Sequence, residues 1–295
     1  MMGKGDAGWF SEEWVGQGAA IAFEFTERLV DEQSPYQRVE VFQTTQFGKL
    51  LTLDGLVMLT TRDNFLYHEM ISHPALLTHP APRDVLIIGG GDCGTMREVL
   101  RHEGVERVTQ VELDEVVTRV SEVHFPELCA SNGDPRAAFH YEDGIEWVAR
   151  AADASYDIVL IDGSDPIGPA AALFSPAFYL DCHRILRDGG ILCGQTESPL
   201  FHLDLISHVH ETATAAGFTA SRTMFFPQCV YPSGWWTVTL SRKDAEIPTQ
   251  PVRTLPDSIE TMYYNDAIHS AAFAAPAFVA RALARPTKSS PPRET

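Results

Sequence analysis

Two aspartates three residues apart, Asp162 and Asp165, stand in the string D-G-S-D-P-I-G-P that runs from Asp162 to Pro169. They follow an apolar run, Tyr156 to Ile161, that reads as a buried core strand of an α/β sheet. Ligands of such sheets bind outside the carboxyl ends of the strands. A carboxylate there, backed by a Gly/Pro-rich loop, is placed to hold a cation and to take a proton from it. Three more acids fall at or beside strand ends: Asp92 in Gly89-Gly-Gly-Asp-Cys-Gly94, Glu112 after the next apolar run, and Asp143 in Glu142-Asp-Gly144. One such acid is ordinary; Asp92, Glu112, Asp143 and Asp162 converging on one rim point to cationic and polyhydroxylated ligands.

The glycine loop sharpens the choice. Val85–Ile88 runs into G-x-G-x-x-G and then a helix, and Glu112 lies about 20 residues further on, as in the dinucleotide fingerprint. Glu112 can chelate a ribose diol, so NAD is one reading. Asp92 opposes it, because a pyrophosphate would rest on the helix N-terminus beside that carboxylate. At an effective dielectric near 20, a like charge about 4 Å away costs about 4 kcal/mol. An adenosine ligand carrying positive charge and no phosphate, such as S-adenosylmethionine or its decarboxylated form, removes the conflict. Asp92 can equally cap the helix. Asp143 suits an adenine amino group, or an N-cap for a helix from Ile145.

The elements that must position these acids alternate. Strands are expected at Val85–Ile88, Arg107–Val111, Ala137–Tyr141, Tyr156–Ile161 and Gly190–Gly194, with helices at Thr95–Arg101, Glu115–Val123, Ile145–Ala151, Pro176–Ile185 and Leu203–Ala216. Strict alternation implies a parallel sheet covered by helices. Phe218–Phe226 and Trp235–Leu240, joined through Tyr231-Pro-Ser-Gly234, read as an antiparallel hairpin on its edge. Ahead of this, Ile21–Phe25, Gln37–Phe42 and Lys49–Leu53 alternate, and Asp54-Gly55 signals a hairpin. A helix from Asn64 to Leu77 follows, with Asp63 as its N-cap and Phe65, Met70, Ile71 and Leu77 on one face. The fold class is therefore α/β: a small antiparallel β domain (1–66) before a Rossmann-like domain (67–285), with residues 286–295 a disordered tail. Gly163 to Ser175 reads as a lid.

Acidic residues outnumber basic ones, 40 to 22 in 295 residues, for a net charge of −18. That balance argues against nucleic acid and suits a polycation. Five scattered cysteines, no bilayer-length apolar run and no signal-peptide core imply a cytoplasmic protein. His68 and His73 are five apart rather than four, so no metal site is expected. His208 and His210 read as solvent-facing, and Phe273 and Phe278 as helical packing.

With these pieces the chain closely resembles the spermidine synthase (aminopropyltransferase) family. The matching stretches are Y-Q-R-V-E-V-F from Tyr36, L-D-G from Leu53, R-D-N-F-L-Y-H-E-M from Arg62, G-G-G-D-C-G from Gly89 and V-E-L-D from Val111. They continue with E-D-G from Glu142, D-G-S-D-P-I-G-P from Asp162, Y-P-S-G from Tyr231 and Y-Y-N-x-x-I-H from Tyr263. The resemblance spans about Trp9 to Leu283. It implies a seven-stranded methyltransferase-like Rossmann domain that transfers the aminopropyl group of decarboxylated S-adenosylmethionine, a co-substrate rather than a cofactor, to a polyamine nitrogen. It also implies roles. Gln37, Glu112, Asp143, Gly144 and Pro169 resemble the nucleoside-binding residues, and Asp92 the carboxylate that grips the aminopropyl ammonium. Asp162 resembles the catalytic acid/base. Tyr67, His68, Asp165, Gln195 and Tyr231 match the acceptor channel, which Gly163 and Ser164 flank. Cys93, Asn64 and Cys229-Val230 depart from the family pattern. Putrescine is the acceptor favoured by resemblance over agmatine, cadaverine or spermidine, and a homodimer or homotetramer is expected.

The chemistry fits those roles. An alkyl ammonium with a pKa near 10.4 must lose a proton before its nitrogen can attack. Asp162 is the base, Tyr67 accepts or orients through its hydroxyl, and His68, if neutral, offers a ring-nitrogen acceptor. Sulfonium is already a good leaving group, so alignment is what remains to be supplied. Two other classes stay open. A methyltransferase using intact S-adenosylmethionine would want a cation or backbone donors where Asp92 stands. A silent polyamine-binding homologue would have no need of Asp162, Tyr67 and Asp165 together.

Overall fold

Residues 7–164 and 168–284 are described by the structure, a computed structural model. Asp165 and the tail expected from residue 286 lie outside them. The chain begins with five antiparallel strands in sequence order: β1 (Gly8–Trp14), β2 (Ala19–Gln33), β3 (Arg38–Thr44), β4 (Lys49–Leu53) and β5 (Leu56–Thr60). β3 to β5 follow the expected alternation, and Asp54-Gly55 makes the β4–β5 turn with both residues at positive φ. β1 was not anticipated, and β2 is far longer than Ile21–Phe25. Register shifts where β2 pairs with β3 break the two-residue period that would have announced it.

α1 (Asn64–Thr78) then enters the second, larger layer system. Its burial corrects the one-faced expectation: every residue but Phe65 is buried, because the helix packs against α2 (Gly94–Leu100) and a sheet at once. Asp63 occupies the N-cap position without capping; its Oδ1 accepts from the Thr60 hydroxyl at 2.5 Å. Asn64 instead ties the helix start to β5, donating to the Thr60 and Thr61 carbonyls.

The seven-stranded sheet contains β6 (Asp84–Gly89), β7 (Arg107–Glu112), β8 (Ala137–Tyr141), β9 (Tyr156–Asp162), β10 (Leu186–Gln195), β11 (Ala220–Pro227) and β12 (Trp235–Arg242). Its order is β11-β12-β10-β9-β6-β7-β8. β12 runs antiparallel to both neighbours, and the other pairings are parallel. Sequence order reverses between β6 and β9, the kind of switch point at which α/β sheets open a ligand crevice. The helices α3 (Glu115–His124), α4 (Gly144–Arg150), α5 (Pro176–Ile185) and α6 (Leu203–Ala215) fall between the strands as expected. β6 and β9 are buried nearly throughout, which is why they read as continuous apolar runs rather than alternating ones.

Two short helices, α7 (Asp266–Ala272) and α8 (Ala277–Leu283), close the chain. Phe273 is buried there, and the Phe278 ring meets Trp235. The segment before them is bolted to α1: the buried Glu69 carboxylate accepts from the backbone N–H groups of Met262, Tyr263 and Tyr264 at 2.7 to 2.9 Å. The Tyr264 hydroxyl in turn lies 2.7 Å from His269 Nδ1.

His208 and His210 are not the solvent-facing pair expected. Both are half-buried, His208 against the Phe174 carbonyl and His210 against the Thr223 hydroxyl. The Gly163–Ser175 stretch is not a free lid from end to end either, since Gly168–Phe174 forms a 3-10 turn whose Leu173 and Phe174 are buried in the core.

Candidate active site

A cleft of about 520 Å³ opens between the five-stranded sheet and the carboxyl ends of β6, β7 and β9. Six carboxylates line it (Glu12, Asp54, Asp92, Glu112, Asp143 and Asp162), and no lysine, arginine or histidine is among its described lining residues. Gln37, Tyr67, Gly144, Gly163, Ser164, Gln195 and Tyr231 line it too, so most of the residues singled out in the sequence converge. Pro169 lies in the 3-10 turn Gly168–Phe174, whose Ala170 and Leu173 face the cleft.

Asp162 ends β9 with both carboxylate oxygens occupied. Oδ1 accepts from the Tyr67 hydroxyl at 2.8 Å, and Oδ2 from the Thr95 hydroxyl at 2.6 Å. Burial, followed by the charge of Asp92, pushes its carboxyl up to about 6, against the opposing pull of His68, Thr95 and Tyr67. The glycine loop is shaped around this residue. Gly90 has φ +69°, and a Cβ there would come within 2.9 Å of Asp162 Oδ2. The glycines that resemble a pyrophosphate cradle thus make room for a protein carboxylate.

Tyr67 corrects one expectation. Burial, and then Asp162, drive its hydroxyl well above the ordinary tyrosine range, so it serves as a donor and not as a proton acceptor. His68 corrects another. It is buried behind the cleft rather than lining it, with Nε2 3.1 Å from Asp92 Oδ1. Burial favours its neutral form, but the Asp92 carboxylate outweighs that and raises its pKa, so Nε2 points its proton at Asp92. Asp92 responds in the opposite sense: burial would raise it, yet His68, the Gly94 N–H and Arg97 hold it below the usual aspartate value. The capping reading of Asp92 is realised in part: Cys93 takes the N-cap position of α2, but Asp92 Oδ1 accepts from the Gly94 N–H at the start of the helix at 2.6 Å. Gly94 is required by His68, whose ring would lie 2.2 Å from a Cβ at that position.

The opposite end of the cleft is held by backbone. Glu112 accepts from the Asp114 N–H at 2.8 Å, and burial raises its carboxyl to about 7. Asp143 caps α4 through the Ile145 and Glu146 N–H groups while lining the cleft. Gln37 does not touch Glu112; its amide donates to Asp114 Oδ2 at 3.0 Å, and Asp114 links the two. Between the ends, Tyr231 packs edge-on against Tyr67 and Trp236, with ring centroids 5.9 and 4.7 Å away, and donates to the Met58 carbonyl. Buried Gln195 reaches toward the Ser164 carbonyl and Glu197 at 3.4 Å.

Thr95, Asp114 and Glu12 were missed. Thr95 carried no signal beyond its place in a helix start. Asp114 had one, an aspartate directly before a helical pattern. Glu12 sits in the strand that alternation did not reveal. It is 5% exposed, and its carboxylate accepts from the Val57 N–H and the Trp14 indole. The family departures lie off the cleft: Asn64 holds the start of α1, Cys229 is exposed, and Val230 is buried among the phenylalanines of the first sheet. Cys93 adopts φ +69°, a left-handed conformation that glycine takes with less strain.

Comparison with known proteins agrees with this geometry. Residues 64–251 match the model of the spermine/spermidine synthase domain, and residues 8–61 that of the spermidine synthase tetramerisation domain. The polyamine aminopropyltransferase of Methylococcus capsulatus is 50% identical over 275 residues, covering 93% of this chain and 96% of that protein. That of Thioalkalivibrio sulfidiphilus is 51% identical over 280 residues, covering 94% and 98%. A crystal structure of spermidine synthase in complex with the transition state analogue AdoDATO superposes with a TM-score of 0.90 at 31% identity, covering 96% of this chain and 97% of that one. Thermotoga maritima spermidine synthase superposes with a TM-score of 0.88 at the same identity, covering 96% of each chain.

Proposed function

This chain belongs to the spermine/spermidine synthase family and is a polyamine aminopropyltransferase, and we propose that it works on putrescine to give spermidine and methylthioadenosine. The observation that carries the reading is the lining of the cleft, six carboxylates without a basic side chain among the described residues. Such a surface attracts a sulfonium that carries an ammonium, together with a diammonium acceptor. Intact S-adenosylmethionine has a carboxylate that would meet only like charge there, which disfavours methyl transfer.

In this reading the cleft has an amine end and a nucleoside end. Glu112 accepts the ribose hydroxyls, Asp143 and Gly144 meet the adenine edge, and Gln37 and Pro169 complete that end. Asp92, held ionised by His68, grips the ammonium of the aminopropyl chain. Asp162, with a carboxyl near 6, is ionised at neutral pH; it first binds the acceptor ammonium and then takes its proton. Tyr67 fixes the carboxylate, while Gly163, Ser164, Asp165, Gln195 and Tyr231 flank the incoming amine. The freed nitrogen lone pair attacks the methylene beside sulfur, the carbon–sulfur bond breaks, and neutral methylthioadenosine leaves. Alignment supplies most of the remaining acceleration, and no further cofactor is needed. Glu12, across the cleft on β1, offers a partner for the acceptor's second cation and so supports a diamine. Residues 1–66 form the assembly domain of a homo-oligomer in this reading, and residues 67–285 the catalytic domain.

Incubating the purified protein with decarboxylated S-adenosylmethionine and a panel of putrescine, cadaverine, agmatine and spermidine tests the proposal by chromatography. Spermidine from putrescine at the highest kcat/KM is expected. A preference for agmatine would overturn the acceptor, and product only with the intact donor would overturn the reaction.

A further inference from the structure

We propose that Thr95 is a positioning residue for the transfer, its hydroxyl fixing the Asp162 carboxylate in the orientation that receives the amine proton; this rests on Asp162 being the base. Thr95 is fully buried in the first turn of α2, with Oγ1 2.6 Å from Asp162 Oδ2. A helical threonine commonly turns its hydroxyl back to the carbonyl four residues earlier. Here that carbonyl, of Gly91, is approached by the Cys93 thiol at 3.7 Å, and Thr95 spends its single proton on Asp162.

The geometry is a two-point clamp. Tyr67 on α1 holds Oδ1 and Thr95 on α2 holds Oδ2, so the carboxylate cannot turn without losing both donors. Each oxygen accepts one of these bonds and retains further lone-pair capacity, and the clamp decides where that capacity points. Gly90 backs the Oδ2 side, where a Cβ would come within 2.9 Å of that oxygen and crowd the carboxylate. The charged or titratable groups facing Asp162 are Tyr67 and His68 on α1, Asp92 in the glycine loop and Glu112 at the end of β7. Asp92 and Glu112 repel its negative charge, and Thr95 is one of the few donors that offset them.

Thr95→Val keeps the shape and removes the donor. Losing a hydrogen bond to a charged group should lower kcat roughly tenfold and move the acid limb of the kcat profile up by about one pH unit, with amine KM changed by less than about twofold. Thr95→Ser should restore both. The position of the limb does not depend on how much of the sample is folded, so it decides the matter even in a poorly folding variant. An unmoved limb in Thr95→Val, or a serine variant as impaired as the valine one, overturns the proposal. Asp162→Asn in the same series separates the premise: turnover surviving there removes the base assignment, whatever Thr95→Val does.

Discussion

At the end of the cleft proposed for the amine, Asp162 is held by two side-chain hydroxyls and Asp92 partly by an imidazole; at the end proposed for the nucleoside, Glu112 and Asp143 are held by backbone N–H groups. The difference follows the chemistry proposed for each end. Backbone donors fix a carboxylate's direction without adding a titrating neighbour, which suits the recognition of neutral hydroxyl and amino groups. Side-chain donors can be arranged to set a protonation state as well. Asp92 is drawn below its ordinary value and Asp162 pushed above it, although both sit in one cleft. Environments that drive two acids apart are what a site needs to bind one ammonium and deprotonate another.

Replacing one acid at each end separates the two kinds of anchoring. Asp162→Asn should lower kcat roughly thousandfold, the middle of the range for removing a general base, with methylthioadenosine affinity unchanged by calorimetry. In the parent enzyme the same group should make turnover fall as pH drops through about 6, because the protonated carboxyl cannot accept. Glu112→Gln should act the other way round, weakening methylthioadenosine binding roughly tenfold while leaving kcat at saturating donor within about threefold. A large kcat loss in Glu112→Gln would erase the division between the ends.

The smallest expected effect is on stability. Burial raises Glu112 to about 7 in the folded chain, from an ordinary 4.5. Its contribution is therefore complete at pH below the unfolded value and is lost as pH rises through the folded one. Glu112→Gln removes that loss, so at pH 8 the unliganded variant should melt about 3 °C above the parent, with the gap closing near pH 4.5. Equal midpoints at both pH values would count against a strained glutamate.

The catalytic sheet was legible because buried parallel strands read as apolar runs bounded by turns. Ala137–Tyr141 and Pro176–Ile185 fall at the expected bounds, and the acids at the strand tips share a rim because the topology puts them there. The first sheet was harder. β1 carries an inward glutamate and an outward Trp9 that is 69% exposed, so its pattern does not separate an apolar face from a polar one. Within the site, the acids could be named from sequence, but the groups that hold them could not. Thr95 meets Asp162 across 67 positions and Ser34 meets Asp114 across 80, and no local pattern encodes such pairings. His208 and His210 misled for the same reason, since one partner is a distant carbonyl and the other a hydroxyl on β11.

Glu69 gives the molecule a timetable. The helix that carries Tyr67 and His68 is translated early, but the three N–H groups that satisfy its buried carboxylate belong to Met262, Tyr263 and Tyr264. At a synthesis rate of about 5–20 residues per second, the roughly 190 residues between α1 and Tyr264 take on the order of 10–40 seconds to emerge. Until then the Glu69 carboxylate lacks the three backbone donors that receive it in the fold. A nascent chain stalled before Met262 would therefore contain all six acids of the cleft while lacking the three backbone donors that receive Glu69 on the helix of Tyr67.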